Sequence, residues 1–134
     1  MGSDDAIHAR QDLMRNNISN VKAVGAFLKT GKGSTADVAA RARKVAANAE
    51  MINGLFPKGT SLKDRPGETR AQPGIWAKPA AFAQAADIMA VYENKLADAA
   101  DSGDKKAIGA ALGQLGKRGC GGCHNDFRGP KPKK

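Results

Sequence analysis

The run Cys120-Gly121-Gly122-Cys123-His124 decides how this chain is read. Two thiols separated by two residues, with a histidine directly after the second, form the C-x-x-C-H pattern of covalent haem attachment. The chemistry sets the spacing. Two thiols add to two vinyl groups on one porphyrin edge, and the adjoining imidazole reaches the iron. On a helix, positions i, i+3 and i+4 share one face, so Cys120, Cys123 and His124 converge on one macrocycle. Gly121 and Gly122 place no side chain against the porphyrin edge. Two other readings of the motif are weaker. A thioredoxin-like redox pair expects a βαβ context, and no strand-like alternation surrounds these residues. A structural zinc site needs four ligands, whereas the chain has two Cys and two His, the second being the distant His8.

Working outward, four helical patterns emerge. The fourth, which carries the motif, runs from about Asp104 to Arg128, and Gly129-Pro130 stops it. Gly109, Gly113 and Gly116 form a stripe on the cysteine-bearing face, which predicts something bulky lying flat against it. The first pattern spans Asp4 to Lys29, with Ser3 as the expected cap and Ile7, Met14, Ile18, Val21 and Leu28 on one face. Thr30-Gly31-Lys32-Gly33 ends it. The second opens at Ser34 or Thr35, carries Val38, Ala42, Val45, Ala49 and Ile52, and stops near Asn53-Gly54. The third opens at Lys78-Pro79, with proline at the first helical position, and ends near Asp101-Ser102-Gly103. Between the second and third lies a long connection, about Phe56 to Lys78, holding Pro57, Pro66 and Pro73. Loops of that length are often functional, and Ile75 and Trp76 are its apolar anchors. These patterns predict an all-α chain: an antiparallel four-helix bundle with covalently attached haem c.

The 134 residues suit a single domain over 1–134, with 1–3 read as an expression scar and 129–134 as a flexible basic tail. Six aromatic residues leave the core to Ala, Leu, Ile, Val and Met, so a haem would supply much apolar bulk. No apolar run reaches the roughly 20 residues of a membrane span. Thioether attachment is ordinarily made outside the bacterial cytoplasm, so a periplasmic location is expected. The net charge of +9 allows nucleic acid, anionic membrane or acidic protein partners. No nucleic-acid motif accompanies it. An acidic redox partner fits better, alongside the plain reading of a solvated surface with no steering role.

The iron's second axial position decides the function. Met14 lies on the apolar face of the first helix and is the leading candidate, although Met is also a common core residue. Met51 and Met89 read as core. His8 falls on a different face from Met14.

C-x-x-C-H close to the C-terminus of a four-helix chain resembles the class II c-type cytochromes, the cytochrome c′ family. The resemblance covers nearly the whole chain. It includes Arg10-Gln11-Asp12-Leu13-Met14, Leu55-Phe56-Pro57-Lys58-Gly59-Thr60, Pro73-Gly74-Ile75-Trp76 and Cys120 through Arg128. It implies thioethers at Cys120 and Cys123, a proximal ligand at His124 and a basic residue beside it at Arg128. It also implies an arginine near a haem propionate at Arg10 and the distal position at Met14; Trp76 joins the expected cofactor-binding set. The family divides at the distal position. Low-spin members use a Met as sixth ligand and resemble electron carriers, which makes His124/Met14 electron transfer to redox partner proteins the leading expectation, with no enzymatic activity. The alternative is a five-coordinate cytochrome c′ that binds NO and CO, with Met14 only packing over the iron. A peroxidase-like activity lacks a distal acid–base pair near Met14. Monomer and homodimer are both compatible with the pattern.

Overall fold

A computed structural model describes residues 2–129. Its elements are α1 (Ser3–Thr30), α2 (Thr35–Met51) continued by a 3₁₀ turn (Ile52–Leu55), the short α3 (Gly74–Ala77), α4 (Pro79–Asp101), α5 (Lys105–Gln114), a π-helical segment (Leu115–Cys120) and α6 (Gly121–Phe127). The rods α1, α2, α4 and α5–π–α6 lie antiparallel. Late α1 meets early α2 through Val24, Phe27 and Val38. Late α2 meets the middle of α4 through Val45, Ala49 and Met89, and late α4 meets α5 through Leu96, Ala100 and Ile108.

Local chemistry explains the boundaries. The Ser34 hydroxyl accepts from the Asp37 amide at 3.0 Å and starts α2. The Asp104 carboxylate accepts from the Lys106 amide at 2.9 Å and starts α5. Each satisfies an orphan donor of the first turn. Pro79 occupies the first position of α4 as expected. Gly31, with φ 75°, takes the left-handed conformation that closes α1 and donates to the Phe27 carbonyl at 2.8 Å. Ser3 is not the cap of α1 but its first helical residue.

The buried face of α1 differs from the expected one. Of the expected residues Ile7 is buried, but the buried stripe runs through Ala6, Arg10, Leu13, Asn17, Asn20, Val24 and Phe27 at three- and four-residue steps. Three of the seven are polar, so an apolar template misses the stripe. Met14, Ile18 and Val21 stand beside it and line an open cavity; for that reason Ile18 is 54% exposed. Met51 is 56% exposed, because it closes α2 where the chain turns into the 3₁₀ segment; it is not core. Met89 is core, at 4% exposure.

The fourth rod is not one continuous α-helix. Between Leu115 and Cys120 it winds as a π-helix, which changes the rotational setting of everything after it. The glycine stripe also reads differently in three dimensions. A Cβ on Gly109, Gly113 or Gly116 would meet nothing within 4 Å, and none of the three lines the cavity. The tightly packed glycines of this rod are Gly119, where a Cβ would lie 2.9 Å from Leu115 Cδ1 and 3.5 Å from the Met89 backbone, and Gly121, where it would lie 2.9 Å from the Gly116 carbonyl oxygen.

The long connection is tied to the end of α6. Gln72 donates to the Phe127 carbonyl at 3.0 Å, Gly129 donates to the Arg70 carbonyl at 2.6 Å, and Ala71 and Arg128 form an antiparallel bridge. Gly129 is therefore buried rather than part of a flexible tail; the remainder of that expected tail, 130–134, lies outside the described residues.

Candidate functional site

At one end of the bundle α1 and α6 do not touch. The space between them is a cavity of about 520 Å³. Cys120, Cys123 and His124 line it from the motif side, and Met14, Ile18 and Val21 line it from α1. Phe82, Ala86 and Met89 of α4, with Ile75 and Phe127, form apolar wall. Phe56, Phe82 and Phe127 interlock edge to face, with centroids 4.8 Å and 5.2 Å apart, so the wall is rigid.

The α6 helix positions the motif. Cys123 is buried and Cys120 half-buried. Burial pushes the Cys123 thiol up to about 11 and, together with Glu93, raises that of Cys120. Neither is a thiolate at neutral pH, and the thiolate is the form a reactive redox cysteine uses. Among the described residues no group of three or more His, Cys, Asp and Glu gathers to hold a metal ion. His124 is held below the ordinary imidazole range by burial, then by the Arg128 and Arg70 guanidinium charges. Neutral imidazole is the metal-binding form.

Arg10 is 4% exposed and reaches the cavity from α1. It donates to the Leu55 carbonyl at 3.1 Å, the Thr60 hydroxyl at 2.9 Å, the Thr60 carbonyl at 2.6 Å and the Thr69 hydroxyl at 2.8 Å. Its guanidinium lies 4.5 Å from the Phe56 ring centre. Burial lowers its pKa to about 10, so it stays charged at neutral pH. All four acceptors are neutral, and a buried charge is ordinarily paired. The cavity thus presents apolar walls, two thiols, one neutral imidazole and a buried cation whose hydrogen-bond acceptors are all neutral. These residues fit a haem, with Arg10 suited to a propionate.

The structure brings Cys120, Cys123, His124, Arg10, Met14 and Arg128 to one cavity. It does not bring Trp76 there. The Trp76 indole donates to the Phe56 carbonyl at 3.0 Å and packs edge-on against Phe56, so it braces a wall residue from behind. His8 is exposed and away from the cavity. Arg70, Thr69, Phe56 and Asn17 are cavity residues that sequence reasoning missed. Phe56 stands next to a proline turn and is at least apolar. Arg70 carries no local signal, because it reaches the site only through its pairing with the α6 terminus.

Asn17 is 5% exposed and donates from Nδ2 to Met14 Sδ at 3.6 Å. The Met14 sulfur therefore has a partner within its own helix.

Comparison with known proteins places these features. The family model described as Cytochrome C′ matches residues 5–128. A cytochrome c′ of Rhodospirillum rubrum is 32% identical over 122 residues, covering 91% of this chain and 80% of the relative. A solved cytochrome c′ with ligand-controlled dimer dissociation superposes with a TM-score of 0.85 at 26% identity, covering 97% of this chain and 98% of that one. A ferrous variant of the Alcaligenes xylosoxidans protein with bound NO superposes with a TM-score of 0.81 at 26% identity, covering 98% of each chain. These findings overturn the expectation of a His124/Met14 electron carrier and favour the five-coordinate alternative. The expectation failed because a methionine's position in a helix does not reveal whether its sulfur reaches the iron.

Proposed function

The chain belongs to the cytochrome c′ family, and from that premise we propose that it binds NO or CO at a haem whose distal face is open. The family carries one covalent haem c, and Cys120 and Cys123 stand in the C-x-x-C-H arrangement for it. The haem iron supplies the affinity for a diatomic gas. The residues do the rest. Cys120 and Cys123 would hold the haem through thioethers, and His124 would ligate the iron as neutral imidazole. Burial, with the Arg128 and Arg70 charges, favours the unprotonated imidazole, and Arg10 would take a propionate. Met14, Ile18 and Val21, which line the cavity from α1, would exclude water from the bound gas and admit ligands by size.

The single observation carrying this reading is the match of residues 5–128 to the cytochrome c′ family model, in a fold shared with a cytochrome c′ that holds NO. The protein acts by binding rather than by turnover. Its relatives are bacterial, and thioether chemistry supports a periplasmic location; among the described residues no helix is long and apolar enough to cross a membrane. A homodimer is the proposed assembly, on the strength of the dimeric relative. An acidic protein is the proposed source of reducing electrons, matched to the net charge of +9. Titration of the reduced protein with CO and with NO, followed in the Soret band, tests the reading. Saturable uptake of both is expected; a spectrum unmoved by either contradicts it.

A further inference from the structure

We propose that Asn17 is the positioning residue that keeps the Met14 thioether off the iron, and so sets which of the two coordination states the protein adopts. The inference rests on the open-distal-face reading and deepens it.

The orientation of the Asn17 amide follows from its neighbours. Asn48 of α2 donates from Nδ2 to Asn17 Oδ1 at 2.8 Å and to Asn16 Oδ1 at 2.9 Å. Flipping the Asn17 amide would set its NH₂ against the Asn48 NH₂, donor against donor. Its Nδ2 is therefore fixed toward Met14. Asn48 is itself fixed: it is 3% exposed, and the carbonyl oxygens of Asn16 and Asn17 take its two protons.

The network continues to the surface. Asn20 donates to Asn16 Oδ1 at 3.1 Å and to the Asn16 carbonyl at 3.0 Å. Arg41 donates to Asn20 Oδ1 at 3.2 Å, and its Nε donates to Asp37 at 2.9 Å. A chain of polar contacts thus runs from an ion pair on α2 to the one sulfur on the cavity's α1 wall. Three of these asparagines, Asn17, Asn20 and Asn48, are buried, which is costly unless each is satisfied. An apolar seam would hold α1 to α2 without that cost. What the asparagine seam adds is a directed donor at the end of the chain, aimed at a thioether.

The consequence is positional. Met is unbranched and flexible, and its sulfur swings readily between partners. Asn17 lies three residues after Met14, on the same side of α1. Its amide holds the sulfur back against α1 and engages one of its lone pairs. Without that donor the sulfur is free to turn into the cavity.

The test is ferric and ferrous visible spectra, ferric electron paramagnetic resonance and CO binding for the haem-loaded protein and for Asn17→Leu, which matches the asparagine in size and donates nothing. The parent is expected to be high spin. Asn17→Leu is expected to gain a low-spin ferric signal, and the double variant Asn17→Leu/Met14→Leu to lose it. If the thioether holds the iron nine-tenths of the time, CO binds about tenfold more weakly. Should Asn17→Leu fail to fold, Asn17→Ser, whose shorter hydroxyl cannot span both partners, is read the same way. An Asn17 variant that stays high spin with unchanged CO binding overturns the inference. A low-spin parent would instead overturn the open-distal-face reading, so the two failures are distinguishable.

Discussion

The Arg10 guanidinium donates twice to one residue, 2.9 Å to the Thr60 hydroxyl and 2.6 Å to the Thr60 carbonyl. Thr60 is fully buried and belongs to the long connection, so a single cation on α1 fastens that connection to the bundle and faces the cavity with its remaining surface. Replacing Arg10 by Leu removes four hydrogen bonds and leaves buried acceptors unpaired. The expected loss is on the order of 3–5 kcal/mol. Arg10→Lys keeps a charge but not the planar fork, and is expected to recover less than half. Denaturant unfolding of the three proteins checks this.

Glu93 predicts a pH dependence. Its side chain is 0% exposed, neither carboxylate oxygen has a hydrogen-bond partner among the described residues, and burial raises its pKa from 4.5 to about 8. The folded protein therefore holds a proton that the unfolded chain releases, and stability falls as pH rises from about 4.5 to about 8. At pH 7 the linkage amounts to about 3 kcal/mol. Glu93→Gln keeps the shape and cannot ionise. It is expected to be more stable than the parent by about 1–3 kcal/mol at pH 7 and equal to it near pH 4, as measured by unfolding at the two pH values.

The glycines predict effects of opposite sign. Gly113 faces open space in α5, so Gly113→Ala is expected to stabilise by about 0.5–1 kcal/mol. A Cβ on Gly129 would lie 2.6 Å from Leu62 Cδ2 and 3.3 Å from the Arg70 carbonyl. Gly129→Ala is expected to cost about 1–3 kcal/mol by prising the connection from the end of α6. Paired thermal melts of the two variants provide the check.

The cysteines predict a covalent readout. Cys123→Ala leaves one thioether, and the pyridine haemochrome band is expected to move to that of a singly attached haem. Cys120→Ala/Cys123→Ala is expected to release its haem into acidified organic solvent. Retention of the haem by the double variant would count against thioether attachment.

Much of the architecture was legible because local chemistry dictated it. Ser34, Pro79 and Asp104 carry their boundary signals within three residues, and C-x-x-C-H names its own cofactor. What escaped was whatever depends on distant partners. The buried face of α1 includes Arg10, Asn17 and Asn20, each buried only because acceptors or donors on other elements meet it. Arg70 joins the cavity through its pairing with Gly129, 59 residues away, by a backbone hydrogen bond and one from its own side chain. The π-helical turn before Cys120 shifts the register of the motif in a run of glycines that reads, by periodicity alone, as ordinary helix. The role of Met14 was undetermined for the same reason: its position follows from helical spacing, but the partner of its sulfur does not.

The most direct test of the central claim is the spin state of the purified haem protein at neutral pH, read from ferric electron paramagnetic resonance and the ferrous visible spectrum without added ligand. An open distal face predicts a high-spin ferric signal and a broad, unsplit ferrous band. A low-spin ferric signal with a narrow, split ferrous pattern and a far-red sulfur–iron band would place the Met14 thioether on the iron and contradict the account.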